Sequence, residues 1–439
     1  MSVQRPNIIL ILADDLGYAD LSCYGRRDYE TPNLDRLAEG GVRFLQSYAN
    51  SPVCSATRTA LITGRYQYRL TVGLEEPINP TTPGNVGIPP EQPTLPSILR
   101  DGGYATGLIG KWHLGRPPEF GPRKSGYEYF YGMLHGSADY FRHAGPSAIF
   151  ENEMQIEAHG YKTNLFGDRA VEFIERSKDD GKPFFLSLHF NAPHWPWEGP
   201  GDEAESKRIK TLRHHDGGSL KVYANMVQAL DENVGRVMQT LDAHGLSDNT
   251  IVVFTSDNGG ERFSDMWPFA GEKGELLEGG LRIPTIVRWP ARLPAGRDYA
   301  HPGMSMDWMP TLLAAAGLKP HPDYPLDGVD LLPSLAGEAA TSERTLFWRY
   351  KAGSQAAVLR GNWKYLSIGG NEFLFDVAID QRERANLKER YPDKFAQLKG
   401  LHAEWNATML PERSRPASHS FSGDRRADRH GFPPSDNPE

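Results

Sequence analysis

Two pairs of oxygen-bearing side chains stand where apolar runs of the sequence end. Asp14 and Asp15 follow one such run, and Asp257 and Asn258 follow another. Adjacent carboxylates repel each other unless a cation or a base joins them, and hard divalent cations take oxygen ligands, often from Asp and Asn. A turn rich in Asx residues would explain Asp257 and Asn258 alone. The recurrence of such a pair at two run ends favours a metal site.

Basic and titratable side chains follow the same kind of run. Lys111 and His113 come after a third apolar run, His194 comes shortly after a fourth, and Lys273 lies in a glycine-flanked loop. Taken singly, each is more often a surface lysine or a hydrogen-bonded histidine. Together they would form a basic cavity around the metal, suited to a small tetrahedral oxyanion.

Cys54 opens a short predicted helix that runs from just after Pro52 to Gly64, a common C-terminal stop. Free backbone N–H groups and the helix dipole would favour an anion beside Cys54, and Arg58 would share that face. A buried cysteine acting as a small hydrophobic residue explains this segment equally well by itself. Combined with the residues above, a helix N-terminus, an arginine, two lysines, two histidines and a cation indicate sulfate or phosphate ester chemistry.

These residues need a scaffold that brings strand ends together. Continuous apolar runs suit strands buried on both faces of a mainly parallel sheet. The runs cover residues 7–13, 105–110, 184–190 and 250–255. Amphipathic segments at Thr31–Gly40 and Ser219–His244 predict helices between them. We therefore expect an α/β fold with a large, mainly parallel central sheet flanked by helices on both faces, and a site at the carboxyl ends of its strands.

The pattern of apolar runs and turns in the sequence changes from about Arg344. Glycine-containing turns separate short β-type runs, which predict a small C-terminal antiparallel sheet followed by a helix at about Pro392–Leu410. The runs cover residues 345–350, 355–360, 363–367 and 373–377. We assign a catalytic α/β domain to 1–343, an α+β subdomain to 344–410 and a polar tail to 411–439. The composition of the tail favours disorder; an ordered tail would be an arm between subunits of a homo-oligomer.

Composition excludes several classes of protein. The 439 residues carry a net charge of −8, which argues against nonspecific nucleic-acid binding, and no run approaches the ~20 apolar residues of a membrane span. Two cysteines, Cys23 and Cys54, rule out a disulfide scaffold and a cysteine-rich zinc site. One disulfide remains open, although a reducing compartment is the simpler interpretation. No signal-peptide pattern is found, so we expect a cytoplasmic protein.

The ordered set of motifs between about residues 5 and 390 resembles the formylglycine-dependent, arylsulfatase-like sulfatases of the alkaline phosphatase superfamily. Each motif alone is weak, but the set in this order is specific. The motifs are Arg5-Pro-Asn-Ile-Ile-Leu-Ile-Leu-Ala-Asp14-Asp15, Thr31-Pro-Asn-Leu-Asp35, Cys54-Ser-Ala-Thr-Arg58, Thr63-Gly-Arg65, Gly110-Lys111-Trp-His113-Leu-Gly115, Asn191-Ala-Pro-His194, Thr255-Ser-Asp257-Asn258-Gly259, Gly271-Glu-Lys273-Gly274, Glu278-Gly-Gly280, Phe373-Leu-Phe-Asp376 and Arg384-Ala-Asn-Leu387.

The resemblance implies that a maturase oxidises Cys54 to formylglycine after synthesis. This sequence departs from the usual Cys-x-Pro-Ser-Arg core, since Ala56 and Thr57 replace Pro and Ser, which leaves open which maturase acts. The metal would be Ca²⁺, with Mg²⁺ as the alternative, because oxygen-only ligation favours these ions over zinc. Its implied ligands are Asp14, Asp15, Asp257, Asn258 and the formylglycine oxygen derived from Cys54.

The implied reaction is hydrolysis of a sulfate ester through a covalent intermediate. One hydroxyl of the hydrated aldehyde, activated by the metal and Asp257, would attack sulfur, while Arg58 and Lys111 stabilise the hydrated aldehyde and the sulfuryl oxygens. The covalent step splits one hard displacement into two easier ones.

Release of the two products involves three further residues. His194 and Lys273 would bind the ester and help protonate the leaving oxygen. The second hydroxyl would then lose its proton, with His113 as base or orienting group, and C–O cleavage would expel sulfate.

Substrate choice depends on segments beside this site. The segment Gly132–His143 resembles a pocket-lining region of some sulfatases, and two nearby indoles could stack on an aryl ring or a sugar face, although packing within their loop explains them equally well. The predicted pocket residues are His135, Asp139, Tyr140, Trp195 and Trp197. We expect aryl sulfates or small carbohydrate sulfates as substrates.

Two other functions fit the same residues. A formylglycine-dependent phosphonate monoester or phosphodiester hydrolase can share most of the constellation, and turnover of a sulfate and a phosphodiester with one leaving group would separate the two. A non-catalytic sulfatase-like binding protein would carry an unmodified Cys54, but the intact set of polar residues argues against such decay.

Overall fold

The computed structural model describes residues 5–210, 212, 217–340 and 343–412. The strands in these ranges are β1 (Asn7–Asp14), β2 (Val42–Phe44), β3 (Ser47–Tyr48), β4 (Ala105–Lys111), β5 (Tyr129–Met133), β6 (Ile149–Glu151), β7 (Met154–Ile156), β8 (Phe184–Pro193), β9 (Thr250–Ser256), β10 (Thr285–Arg288), β11 (Arg297–Tyr299), β12 (Gly303–Met304), β13 (Thr345–Tyr350), β14 (Gln355–Arg360), β15 (Trp363–Ile368) and β16 (Asn371–Asp376). The α-helices are α1 (Pro32–Glu39), α2 (Cys54–Thr63), α3 (Leu95–Asp101), α4 (Lys162–Asp179), α5 (Glu203–Arg208), α6 (Leu220–Ala243), α7 (Glu278–Leu281), α8 (Trp308–Ala315), α9 (Leu332–Leu335) and α10 (Pro392–Ala407).

The central sheet contains ten strands in the order β11-β2-β10-β9-β1-β8-β4-β5-β6-β7. The five strands at its centre, from β9 to β5, are parallel to one another. Outside them, β10 is antiparallel to both of its neighbours and so is β6. The four strands expected from the apolar runs all lie in the parallel centre, so their carboxyl ends meet at one edge of the sheet.

Helices cover both faces of this sheet, as the buried runs predict. Ile9 and Ile11 of β1 belong to a core that includes α1, α4 and α6. Ile8 and Leu10 point to the other side and belong to a core that includes α3, α8 and α9. The alternation follows from the two-residue period of a strand, and it fixes β1 in the middle of the molecule.

A separate four-stranded sheet forms from β13 to β16, each strand antiparallel to the next. Helix α10 packs on it through Leu398, which meets Val358 and Leu374, and the helix ends three residues before the predicted Leu410. The other face of this sheet packs on the rest of the protein. The division of the chain at residue 343 into a catalytic domain and a subdomain therefore remains a prediction. The part of the predicted tail from 413 to 439 lies outside the described residues.

Two further expectations concern thiols and membranes. Cys23 and Cys54 both carry free thiols in this structure, so the disulfide left open by the sequence is not formed. None of the helices in the described ranges is both long enough and apolar enough to cross a membrane.

Candidate active site

The two acidic pairs meet at the carboxyl edge of the central sheet. Asp14 is the last residue of β1, Asp257 follows β9, and the parallel register of these strands sets their ends side by side. Asp15 turns out of β1 with a φ of 64°, and its N–H donates to Asp257 Oδ1 over 3.2 Å. Asn258 Nδ2 donates to Asp15 Oδ1 over 2.8 Å. All four side chains are buried, so the fold brings the predicted metal ligands together.

Two buried lysines form ion pairs with two of these carboxylates. Lys111 Nζ lies 2.5 Å from Asp14 Oδ2, and Lys273 Nζ lies 2.5 Å from Asp15 Oδ2. Burial, followed by the charge of Asp257, nevertheless raises the pKa of Asp14 well above its ordinary value. Burial acts in the same direction on Asp15, but the charge of Lys273 holds the pKa of that carboxyl at about 2. The site is therefore short of positive charge around Asp14.

Arg58 reaches the third carboxylate from helix α2. Its Nε and Nη2 lie 3.0 and 2.9 Å from Asp257 Oδ2, and Nη2 lies 3.7 Å from Asp14 Oδ1. Its Nη1 donates to the carbonyl oxygen of Lys111 over 3.3 Å. Burial opposes the charge, but Asp257 and Asp14 raise the pKa of Arg58 above its ordinary value. A charged Arg58 therefore ties α2 to the ends of β4 and β9.

Cys54 faces His113 from the N-terminus of α2. The helix starts at Cys54 and is followed by Gly64 with a φ of 64°, as the sequence predicts. Cys54 Sγ lies 3.4 Å from His113 Nδ1, and His113 Nε2 lies 2.7 Å from the carbonyl oxygen of Ile78. Because a carbonyl oxygen only accepts, we assign the proton to Nε2 and an acceptor role to Nδ1.

Burial keeps both members of this pair neutral. It lowers the pKa of His113 well below its ordinary value, and Lys111 adds to the effect. It raises the pKa of the Cys54 thiol to about 11. Since the thiolate is the nucleophilic form of cysteine, the unmodified thiol is a poor nucleophile at this position.

His194 completes the polar wall around Asp15. Its Nδ1 lies 2.7 Å from the carbonyl oxygen of Trp195, so Nδ1 donates there, and its Nε2 lies 3.5 Å from Asp15 Oδ2. Burial and then the charge of Lys273 lower the pKa of His194 well below its ordinary value. A neutral His194 therefore presents a bare Nε2 beside Asp15 and Lys273.

The donor set fits a divalent cation that prefers oxygen. Ligand atoms of Asp14, Cys54 and Asp257 lie within 4.8 Å of one another. Among the described residues, Asp14 Oδ1 and Asn258 Oδ1 are buried without a hydrogen-bond partner. Buried oxygens without partners are costly, and a cation held by these residues and Asp15 would satisfy them while supplying the missing positive charge.

Three of the five predicted pocket residues point into the protein. Tyr140 is fully buried, and its hydroxyl lies 2.9 Å from the carbonyl oxygen of His194. Asp139 is buried and accepts backbone N–H groups from its own loop. Trp197 is buried and packs edge-to-face on Phe263. Their polar and aromatic groups are engaged within the protein, and substrate contact by these three residues stays a prediction.

The other two predicted pocket residues, Trp195 and His135, are half-buried. The Trp195 ring packs on His194 with 4.4 Å between ring centroids. His135 follows the carboxyl end of β5, next to β4. Both keep part of their surface open, so substrate contact stays a prediction for these two.

Sequence reasoning passed over His189 in strand β8. Its Nδ1 lies 3.2 Å from the carbonyl oxygen of Lys111 and 3.5 Å from Arg58 Nη1. Burial and then Arg58 lower its pKa well below the ordinary value. A histidine inside a largely apolar run was the available signal, and the structure shows that it lies beneath Arg58.

A buried ion cluster behind the site was missed as well. Lys364 Nζ lies 2.9 Å from Glu278 Oε1 and 2.8 Å from Glu383 Oε1. Arg282 Nη2 lies 2.7 Å from Glu278 Oε2. Although Glu278 belongs to one of the quoted motifs, nothing in its local sequence indicates that its partner is a lysine 86 residues away.

Comparisons with known proteins identify the family of this chain. The Sulfatase family model matches residues 6–318. N-acetylgalactosamine-6-sulfatase of Canis lupus familiaris is 35% identical over 386 residues, which cover 82% of this chain and 71% of that protein. Arylsulfatase J of Mus musculus is 31% identical in an alignment that covers 94% of this chain and 77% of that protein.

Solved structures share the fold. Ps i-CgsB in complex with k-i-k-neocarrahexaose matches with a TM-score of 0.84 and 31% identity, over 95% of this chain and 96% of that one. Phosphonate monoester hydrolase of Agrobacterium radiobacter matches with a TM-score of 0.67 at 21% identity over 92% of this chain and 96% of that one, a likeness that shows the fold alone. The fold class expected from the sequence is confirmed. Because the family model spans most of the chain and its relatives align over most of their length, the chain belongs to the sulfatase family and is a sulfatase.

Proposed function

We propose that this sulfatase hydrolyses aryl sulfates or small carbohydrate sulfates, with formylglycine at position 54 and Ca²⁺ bound by the carboxylates. The observation that carries the proposal is the position of Cys54 at the N-terminus of α2, within 4.8 Å of ligand atoms of Asp14 and Asp257. A neutral thiol there is a weak nucleophile, whereas a hydrated aldehyde would supply a hydroxyl able to attack sulfur.

The cation would be held by Asp14, Asp15, Asp257 and Asn258, and it would supply electrostatic stabilisation of the negative charge on the ester oxygens. Oxygen donors favour Ca²⁺ or Mg²⁺. We prefer Ca²⁺ because its coordination is less demanding in geometry and number than that of Mg²⁺.

The chain's own cations bind the sulfate group. Arg58 and Lys111 lie on the side of Asp14 and Asp257, and Lys273 lies on the side of Asp15. These charges are buried and held by ion pairs, so little reorganisation is needed when charge develops on the sulfate oxygens. Lys273 donates a hydrogen bond to the leaving oxygen, and neutral His194 orients it.

His113 is the group that accepts the proton leaving residue 54. Its Nδ1 faces residue 54, and its Nε2–H is fixed on the carbonyl oxygen of Ile78. A base must lie within hydrogen-bond reach of the proton that it takes, and the fixed ring orientation meets this requirement. His113 therefore accepts a proton at Nδ1 from the oxygen that replaces Sγ.

The substrate class is supported by two kinds of observation. Relatives at 31–35% identity are named for the sulfate esters of an amino sugar and of aryl compounds. Beside the site, Trp195 offers a half-buried indole next to His194, and an indole can stack on an aryl ring or a sugar face.

Mass spectrometry of the tryptic peptide Phe44–Arg58, alongside turnover of 4-nitrophenyl sulfate, tests the nucleophile. We expect residue 54 to have lost sulfur and gained an aldehyde, with activity in proportion to the modified fraction. Cys54→Ala should be inactive. Full activity with an intact thiol would rule out the mechanism, and an inactive, unmodified protein that still binds sulfate esters would favour a binding role.

Chelation tests the cation. Treatment with EGTA should abolish turnover, and added Ca²⁺ should restore it more fully than Mg²⁺. Turnover unaffected by exhaustive chelation would contradict the proposal. Comparing 4-nitrophenyl sulfate with a bis(4-nitrophenyl) phosphate substrate separates a sulfatase from a phosphodiesterase, because the leaving group is the same.

Expectations about the cell also remain proposals. They are a formylglycine-generating maturase as partner, a cytoplasmic location, a homo-oligomeric state, and no binding to nucleic acid or membranes. Size-exclusion chromatography with light scattering checks the oligomeric state; a monomeric mass would remove that expectation.

A further inference from the structure

The small C-terminal sheet packs on two parts of the active site at once. Trp348 of β13 belongs to the same core as Ala56 and Ala60, which lie on the helix that Cys54 begins. The same core contains Leu276, three residues beyond Lys273. The small sheet therefore shares a core with the helix of Cys54 and contacts the loop of Lys273.

Gln355, the first residue of β14, holds that loop through its side chain. Its Oε1 accepts the N–H of Leu276 over 2.8 Å, and its Nε2 donates to the carbonyl oxygen of Gly274 over 2.9 Å. Gly274 has a φ of 84°, and its N–H donates to the carbonyl oxygen of Pro52 over 3.0 Å. Gln355 is buried, so this one amide fixes the backbone immediately after Lys273 without competition from solvent.

Lys273 depends on this backbone for its direction. Its N–H donates to the carbonyl oxygen of Gly260 over 3.0 Å, and its Nζ lies 2.5 Å from Asp15 Oδ2. The hydrogen bond that Lys273 donates to Gly260 fixes the residue from one side, and the bond that Gln355 donates to Gly274 fixes it from the other. We infer that Gln355 is a positioning residue for Lys273, a role that rests on the proposed function of Lys273 in binding the sulfate ester.

The chemistry of glutamine explains why this residue type is required. One planar amide supplies an acceptor and a donor at fixed separation. Glutamate keeps the acceptor for Leu276 but cannot donate to Gly274, and asparagine is shorter by one methylene group. Methionine matches glutamine in length but makes no such hydrogen bond, so Gln355→Met removes both of these bonds and a third, from Nε2 to the carbonyl oxygen of Ala352 at 3.0 Å, and keeps most of the packing.

The far end of the same loop is fixed by the buried cluster of Lys364, Glu278 and Glu383. The N–H of Glu278 donates to Glu383 Oε2 over 2.7 Å, and Lys364 Nζ lies between the two carboxylates. Removing Lys364 would leave the buried carboxylate of Glu383 without a cation and would be strongly destabilising. Gln355 is uncharged and can be changed with much less effect on folding, which makes it the residue to test.

A double-mutant cycle tests whether Gln355 acts through Lys273. Full-length wild type, Gln355→Met, Lys273→Met and the double variant are compared for kcat and KM on 4-nitrophenyl sulfate, with urea unfolding of each. Displacement of a reacting group by about 1 Å can cost on the order of 100-fold. We expect Gln355→Met to lower kcat/KM by about 10- to 100-fold in the wild-type background and by less than about 2-fold in the Lys273→Met background, because coupled residues are not additive.

The outcomes separate this inference from the function on which it rests. If Lys273→Met is fully active, the proposed role of Lys273 fails and the inference fails with it. If Lys273→Met is impaired but Gln355→Met is active, or the two losses multiply, only the positioning role fails. A lower unfolding free energy for Gln355→Met with unchanged kcat/KM also overturns it, since that is the mark of a purely structural residue.

A control and a second variant complete the experiment. Gln397 lies exposed on α10 in the same part of the chain, so Gln397→Met should leave kcat/KM unchanged. If Gln355→Met does not fold, the same cycle is run with Gln355→Glu, which keeps the hydrogen bond from Leu276. Its loss should be smaller and should again vanish when Lys273 is replaced; a loss that persists contradicts the inference.

Discussion

Lys111 illustrates how charge is balanced around the predicted metal ligands. Its side chain is fully buried, and its Nζ lies 2.5 Å from Asp14 Oδ2. A buried ion pair gives little net stability because both charges lose water, but removing one partner leaves the other uncompensated. Lys111 therefore has two roles that mutation can separate, one in the stability of the fold and one in binding the sulfate group.

The prediction for Lys111→Met is a loss of both stability and turnover. Breaking a buried pair costs about 3–5 kcal/mol, and loss of an electrostatic group in an active site lowers kcat by about 10²–10³. Lys162 is also fully buried, but its Nζ donates to the carbonyl oxygen of Ser147, away from the carboxylates of Asp14, Asp15 and Asp257. Urea unfolding and kcat should show that Lys162→Met loses stability while retaining turnover. Wild-type kcat in a folded Lys111→Met variant would contradict the role.

Much of the site could be predicted from single residues because parallel strands place their carboxyl ends together. Asp14 and Asp257 follow apolar runs that proved to be adjacent strands. His189 could not be assigned a role, because its position beneath Arg58 depends on which strands pair. The direction of the Tyr140 hydroxyl, which bonds the carbonyl oxygens of Asn191 and His194, could not be predicted either, because it is fixed by packing that a linear pattern does not contain.

Strand β4 shows that the position of a whole element also depends on how two strands pack. Gly110, next to Lys111 at its end, has a φ of 115°, and a Cβ there would lie 1.8 Å from the carbonyl oxygen of His189. No real Cβ comes so close to a backbone oxygen. Only glycine lets the backbone of β4 pass so close to the backbone of β8 at this point. This close approach fixes the position of Lys111 relative to the sheet.

Gly110→Ala should therefore destabilise the protein far more than a substitution that only strains the backbone. Gly103, just before β4, also has a positive φ, of 91°, but a Cβ there meets nothing within 4 Å. Gly103→Ala should cost about 1–2 kcal/mol for the left-handed conformation, and Gly110→Ala a further 1–3 kcal/mol or so for forced repacking. Urea unfolding of both variants provides the comparison; equal losses would show that β4 and β8 can separate at no cost.

Elements with strong local patterns were predictable, and those defined by their partners were not. The C-terminal strands followed from short runs and glycine turns, and α6 followed from its apolar spacing. The strands β2 (Val42–Phe44) and β10 (Thr285–Arg288) contain three and four residues, too few to carry a period. They are strands because β10 pairs with the edge of β9 and β2 pairs with β10, a condition met only once the sheet exists.

At the scale of the whole molecule, the cluster around Lys364 joins two sheets into one cooperative unit. Lys364 comes from β15, and its partner Glu278 begins α7, beside the active-site loop. Lys364, Glu278 and Glu383 are all buried. The small sheet and the central sheet should therefore unfold together and not as separate domains.

Lys364→Met should lower the unfolding free energy by about 3–5 kcal/mol, because it leaves the buried carboxylate of Glu383 without its cation and Glu278 paired with Arg282 alone. The matched control is Lys399→Met in α10, since Lys399 forms an exposed pair with Glu372 at 2.8 Å that is worth no more than about 1 kcal/mol. Urea unfolding followed by tryptophan fluorescence and by circular dichroism should give one transition in both variants. Equal stability of the two variants would show that the cluster does not hold the sheets together.

The burial of Cys54 has a consequence for timing. Groups packed beside α2 and the loop of Lys273 come from late in the chain, since Trp348 shares a core with Ala56 and Glu383 accepts the N–H of Glu278 at the end of that loop. Ribosomes add roughly 5–20 residues per second, so the stretch from Cys54 to Glu383 takes on the order of 15–65 s to make. An enzyme that converts Cys54 as proposed would have its best access to the thiol during that interval, because the side chain is only 3% exposed in the folded protein. The rate of synthesis, set against the rate of modification, would then determine how much of the protein carries a working nucleophile.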